Sequence, residues 1–305
     1  MVGLMVANLE TVASGLVFPE APRWHEGRLW VSDIPAQEIV AVGPDGVVER
    51  MHEVPGRPGG SGWLSDGSLV VVSANDTTLV RFDPAGRRSV YADLNGIVPA
   101  RLNDLIVDAH DSVWVGNLGF EFAPGSRVRP TQLVRVDPDG AAAPVGEEVW
   151  FPNGMAITPD GASLLVAESF AQRISAFPLQ PSGELGPRRT WAAFGSAPVP
   201  CDPVEFMAAA VMLPDGMCLD AEGAVWVADA GGCRVLRVAE GGEVLREVKV
   251  STGDRGVFAC MLGGPDGDTL YICSSLPMHR HAEAEVSRNG SLLSLRAPAP
   301  RAGLP

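Results

Sequence analysis

The chain has 305 residues, a formal net charge of −14, 46% apolar and 20% charged residues. That is ordinary globular composition with ample material for a core, and its acidity makes nucleic acid and anionic membrane poor partners. Five cysteines, Cys201, Cys218, Cys233, Cys260 and Cys273, contain no CxxC pair and are odd in number, so zinc-knuckle and disulfide-framework readings fail and buried reduced thiols are expected.

In chain order, the first eighteen residues (MVGLMVANLETVASGLVF) show neither the basic nor the long apolar region of a signal peptide. No apolar run reaches the roughly 18–20 residues that span a bilayer. A soluble, cytoplasmic protein is expected, monomeric by default. One phrase then recurs: a turn dipeptide, a short gap and a β-rich run. It reads EGRLWVSDI at 26–34, DGSLVVVSA at 66–74, HDSVWVGNL at 110–118, DGASLLVAES at 160–169, EGAVWVADA at 222–230 and DGDTLYICSS at 266–275. The spacing, roughly 40 to 60 residues, is close to that of propeller blades. A short segment leads into each phrase, an alternating run follows it, and a fourth β-like run often comes next. Period-2 alternation bounded by Gly, Asp and Pro turns specifies strands.

Six such units of four antiparallel strands predict an all-β, six-bladed β-propeller in a single domain over 1–305. The blades fall near 18–55, 56–96, 97–150, 151–196, 197–252 and 253–296. The sixth lacks a fourth strand, and residues 10–17 (ETVASGLV) are otherwise unassigned. They are expected to supply that strand and close the ring, leaving no exposed edge. The Pro/Ala-rich tail 297–305 is expected to fray.

The repeat also places candidate chemistry. Equivalent positions at the start of the innermost strands are Gly59, Asn103, Asn153, Asp215 and Ala259 in blades two to six, and Pro19, followed by Glu20, in blade one. Glu20, Asn103, Asn153 and Asp215 thus present oxygen donors at one end of the channel. Turn-forming preference explains any one of them; four that converge, without Cys or His, suit one hard divalent cation, Ca²⁺ before Zn²⁺, Mn²⁺ or Mg²⁺. Asp104, next to Asn103, reads as a structural hydrogen-bonding residue. Motifs for nucleophilic serine hydrolysis, zinc peptidases and phosphate loops are absent.

The phrases FPEAPRW, RLND, FPNGMAITPDG and PDGMCLDAEGAVWVAD resemble those of the SMP-30/gluconolactonase family of regucalcin-like proteins, over about residues 15 to 275. The resemblance implies a metal-dependent lactonase with ligands Glu20, Asn153 and Asp215. It makes Asp215 the candidate catalytic base, and Arg101, Asn103 and Glu121 candidate contacts to a small-molecule substrate. Where the family commonly has NDG and a GTM-like phrase, this chain has Asn103-Asp104-Leu105 and Gly116-Asn117-Leu118. That region shapes the pocket, so the metal site carries over better than sugar-lactone specificity. Phosphotriester hydrolysis, a biosynthetic cyclisation or isomerisation, and a non-enzymatic interaction scaffold are the rival functions. Three long connections, 116–132, 195–213 and 274–290, are expected to wall the substrate on the metal face. Within them Phe120, Phe122, Asp202, Glu205, Phe206, His279 and His281 stand out, the two histidines more as a solvated loop feature than as ligands.

Overall fold

The computed structural model describes residues 9–180, 182–197, 201–251 and 254–305, leaving aside the side chains of Met278 and His281. Six antiparallel sheets form the blades of a propeller. Their inner strands are Pro19–His25, Pro58–Trp63, Leu102–Val107, Pro152–Ile157, Pro214–Asp220 and Gly256–Gly263. Each recurring phrase supplies the second strand of its blade, for example Leu69–Ser73, Val113–Asn117 and Val225–Asp229, all of whose residues are buried. Outer strands such as Arg88–Asp93 are mostly exposed.

Apolar side chains pack between neighbouring blades, not within them. Six clusters fill the six interfaces: Ile39 with Val71 between blades one and two, Val72 with Leu105 between two and three, Trp114 with Met155 between three and four. Leu165 with Val227, Trp226 with Met261, and Val31 with Cys273 complete the circuit. A sheet buried on both faces reads as an unbroken apolar run, which is why LVVV and LLVA serve as second strands. Cys218, Cys260 and Cys273 are buried within this packing, whereas Cys201 and Cys233 are half-buried; all five are free thiols.

Closure is made by the N-terminal strand Glu10–Leu16, which pairs antiparallel with Gly290–Arg296 as the outer strand of blade six. The C-terminal tail does not fray. Arg301–Ala302 pairs with Leu219 and Asp220 on the inner edge of blade five, and Leu304 exchanges two backbone hydrogen bonds of 2.9 and 3.0 Å with Ile157 of blade four. Inner-strand edges at the end of the channel away from the candidate ligands carry backbone groups that need partners, and the tail supplies them. Gly303 is required there: its φ is +69°, and a Cβ would lie 2.1 Å from the Ile157 carbonyl oxygen.

Candidate metal centre and its surroundings

Every inner strand carries a register break near its start. In blades three, four and five the unpaired residues are Asn103-Asp104, Asn153-Gly154 and Asp215-Gly216; in blade one the break follows Glu20. A bulge re-aims a side chain that the regular pleat would send into a blade interface, so the repeat turns these residues toward the axis. Ala21 holds a left-handed backbone, φ +47°, immediately after Glu20. The glycines let neighbouring strands approach. A Cβ on Gly154 would lie 2.7 Å from the Asp215 carbonyl oxygen, and one on Gly216 would lie 2.4 Å from the Ala259 Cβ.

The floor of the site is electrostatically crowded. The Glu20 carboxyl is pushed up to about 8, chiefly by burial and also by Asp104, although its Oε2 accepts a 2.5 Å hydrogen bond from the Ala21 N–H. Asp215, buried at 8% exposure, is raised well above the carboxylate range, first by burial, then by Glu20 and Asp104. Asp104 accepts from Arg23 at 2.9 Å in a buried ion pair, and Arg23 also donates to the carbonyls of Ser61 and Leu105. The expectation of a structural Asp104 agrees with this geometry, and its partner lies in another blade. Hydrogen bonds from the Gly216 N–H and the Asn153 side chain only partly offset the repulsion that Glu20 and Asp104 exert on Asp215.

The two amides are oriented by the backbone. Asn153 Nδ2 donates to Ser169 Oγ at 3.3 Å, and that hydroxyl donates to the Pro214 carbonyl at 2.7 Å. Asn103 Nδ2 donates to the Pro152 carbonyl at 3.3 Å. Each amide therefore keeps its carbonyl oxygen as the uncommitted polar atom. Two mutually repelling carboxylates beside amide oxygens are a donor set a hard cation fits: it would relieve the repulsion that raises Asp215. Among the described residues no three His, Cys, Asp or Glu side chains form a metal cluster, so such a site draws on amide oxygen.

A further set of residues was visible in the sequence but not singled out there. The second strands of blades one, four and five end in Asp33, Glu168 and Asp229, at most 1% exposed. Asp33 accepts from the backbone N–H of Val17 and Phe18, Glu168 from Trp150 at 2.9 Å, and Asp229 from Leu213 at 3.1 Å. Each acid thus fastens the chain just ahead of Glu20, Asn153 or Asp215. The corresponding positions of blades two and three are Ser73 and Asn117. The signal lay in the last letters of the repeated phrase: VSD, VAES and VAD against VVS and VGN.

The three long connections meet over this face. Val128 donates to the Cys201 carbonyl at 3.0 Å, joining 116–132 to 195–213, and Arg57 pairs with Glu285 of 274–290 at 2.6 Å. Phe120 and Phe206 are buried in an aromatic cluster with Phe151 and Phe170. Asp202 is an N-cap, accepting from Val204 and Glu205 at the start of the helix Pro203–Ala209, and Glu205 is exposed. Glu121 pairs with Arg101: its Oε1 accepts the Arg101 backbone N–H at 3.2 Å and its Oε2 lies 3.3 Å from Arg101 Nε. His279 is exposed, and the side chain of His281 lies outside the described residues.

Residues 18–276 match the family model for the SMP-30/gluconolactonase/LRE-like region. The chain belongs to this family. Within it, the chain is 29% identical over 289 residues to 6-deoxy-6-sulfogluconolactonase of Pseudomonas putida, a match covering 93% of this chain and 92% of that one. It is 28% identical over 269 residues to a pentonolactonase of Haloferax volcanii, covering 84% and 81%. Among solved structures, a luciferin-regenerating enzyme superposes with a TM-score of 0.77 at 19% identity, covering 98% of both chains. The calcium-binding protein regucalcin of Agrobacterium tumefaciens superposes with a TM-score of 0.74 at 18% identity, covering 97% of both. These two likenesses confirm the fold. The family bears out the resemblance read from FPEAPRW and FPNGMAITPDG. No helix is long and apolar enough to cross a membrane among the described residues.

Proposed function

We propose that this chain hydrolyses a lactone at the channel mouth, with one divalent cation, Ca²⁺ by preference, held by Glu20, Asn153 and Asp215. The observation that carries this reading is the convergence of one buried and one half-buried carboxylate and two oriented amides on the bulged starts of inner strands, in a family whose relatives include lactonases. When bound, the cation would supply Lewis-acid polarisation of the ester carbonyl.

The chain's own groups do the rest. Asn103 and Arg101 orient the ring from blade three. Asp215 orients the attacking water and accepts its proton at a carboxylate oxygen. Burial and Glu20 raise that oxygen's proton affinity, and a cation opposes them. The new C–O bond forms at the carbonyl carbon, the ring acyl–oxygen bond breaks, and the proton passes to the leaving alkoxide, giving a hydroxy acid. The loops at 116–132, 195–213 and 274–290 limit access of bulk water, which strengthens each electrostatic contact inside.

The test is proton release from sugar-acid lactones and from alkyl γ- and δ-lactones, before and after EDTA treatment, with single-cation add-back. Activity lost to EDTA and restored by one cation supports the reading. Undiminished turnover after exhaustive chelation, or turnover by Asp215→Ala, would overturn it.

A further inference from the structure

The surroundings of the floor point to a substrate class. Seven of the ten phenylalanines belong to one aromatic cluster on the face that carries Glu20, Asn153 and Asp215, although they are scattered in sequence from Phe18 to Phe258. The rings interlock: Phe120 lies edge-on to Phe170 at 5.3 Å, Phe151 stacks on Phe170 at 5.1 Å, and Phe170 stacks on Phe206 at 4.9 Å. Chain connectivity ties this collar to the floor. Phe151 lies two residues before Asn153, and Phe170 follows Ser169, which accepts from the Asn153 amide. Phe151 holds φ +54°, a left-handed backbone that an aromatic residue rarely adopts. It is kept there by the Ser169 N–H bonding its carbonyl at 3.1 Å and by Glu168 holding Trp150. Backbone strain at such a position is sustained only where the surroundings over-determine it.

Several hydrogen-bond donors around the collar are already engaged with the protein, although the Asn103 and Asn153 carbonyl oxygens stay open. Asn103 and Asn153 donate to Pro152 and Ser169, and Arg101 is paired with Glu121. Gln172 donates to the Ser196 carbonyl and accepts from Val211. A polyhydroxylated lactone, whose many oxygens accept as well as donate, would need several such donors unengaged. The collar instead offers apolar surface: Phe122 is 40% exposed, and Trp150, Phe151 and Met207 are half-buried.

Resting on the lactonase reading above, we infer that the preferred substrate is a lactone carrying an alkyl or aryl substituent, which lies against this aromatic collar while the ester group meets the floor. The discriminating residues are Phe122 and Phe151, with Trp150 beside them. Ring faces accept such a chain without directional demands, and each added methylene that leaves water improves binding.

The experiment compares kcat/KM of the Ca²⁺-loaded full chain along γ-butyrolactone, γ-hexalactone, γ-octalactone and γ-decalactone, and on D-glucono-1,5-lactone. A parallel titration follows binding of 4-hydroxydecanoate and of gluconate. Expected are a rise of about tenfold or more from butyrolactone to decalactone, decalactone turned over better than gluconolactone, and hydroxydecanoate bound more tightly than gluconate. Phe122→Ala, at an exposed position where folding is not at risk, should cut the decalactone-to-butyrolactone ratio about tenfold. Better turnover of gluconolactone, or a ratio untouched by Phe122→Ala, overturns the inference and leaves the lactonase reading standing. Tight hydroxydecanoate binding without hydrolysis of any lactone supports the collar and overturns the lactonase reading instead.

Discussion

Removing the Glu168 carboxylate tests whether the buried acids at the second-strand ends hold the site in place. Glu168 is 0% exposed and accepts four hydrogen bonds: the Trp150 N–H at 2.9 Å, Arg173 Nε and Nη2 at 2.8 and 2.9 Å, and Ser175 Oγ at 2.5 Å. Glu168→Ala leaves the Arg173 guanidinium, 18% exposed, without its partner and the Trp150 N–H without an acceptor. Breaking a buried pair by removing one member costs about 3–5 kcal/mol. The residual exposure of Arg173 puts the loss near the lower end, about 3 kcal/mol, which for a chain of this size lowers Tm by about 5 °C. Glu168→Gln keeps the shape, loses the charge and sets an amide against the guanidinium, so it serves as the milder variant. Because Trp150 leads directly to Asn153, both should also weaken Ca²⁺ binding, by about 10–100-fold, as loss of groups supporting a ligand commonly does. Differential scanning calorimetry and isothermal Ca²⁺ titration measure the two effects. A stability loss under about 1 kcal/mol together with unchanged Ca²⁺ affinity in Glu168→Gln would refute the argument.

Other perturbations follow from the same geometry. Ca²⁺ at about a hundred times its dissociation constant should stabilise the protein by about 2.7 kcal/mol; thermal melts with and without EDTA should show this, and Glu20→Gln and Asp215→Asn should each abolish the shift. Gly154→Ala should destabilise the fold and weaken Ca²⁺ binding even though alanine carries no competing chemistry, because the added Cβ would meet the Asp215 carbonyl oxygen and the Met217 nitrogen at 2.7 Å; paired melts and Ca²⁺ titrations read both. His25 stacks on Trp63 at 3.8 Å and His52 on Phe82 at 4.0 Å, and burial holds both below the usual 6.5. The unfolded chain therefore binds more protons just below pH 6.5, so their contribution is present above that value and is lost as pH falls. Urea midpoints should drop between pH 7.5 and 5.5, and drop less in a His25→Gln/His52→Gln variant.

How far the sequence foretells these features depends on whether their causes are local. Turn dipeptides and alternating runs recur in every blade, so six sheets and the closing strand at residues 10–17 were legible before any coordinates. The equivalence of the candidate positions was legible too, because a register break recurs near the start of each inner strand. The tail was misjudged from its composition. Its order depends on inner-strand edges at Leu219 and Ile157, far away in sequence, that need hydrogen-bond partners. The pairing of Asp104 with Arg23 and the gathering of phenylalanines from six separate segments likewise depend on contacts between blades, which no local pattern encodes.

The acids Asp33, Glu168 and Asp229 fall between these cases. Their letters sit inside the repeat, and they differ from Ser73 and Asn117 in the blades that contribute neither Glu20, Asn153 nor Asp215. A serine or an amide satisfies one or two backbone donors. A buried carboxylate accepts several at once and holds them more tightly, because charge-assisted hydrogen bonds are the strong ones. Burying that charge is tolerated where arginine compensates it: Arg173 for Glu168 and Arg234 for Asp229. Asp33 relies instead on the Val17 and Phe18 N–H groups. The blades that carry Glu20, Asn153 and Asp215 thus have a stronger fastening than blade three, which carries Asn103, or blade two, which has Gly59 at the matching position.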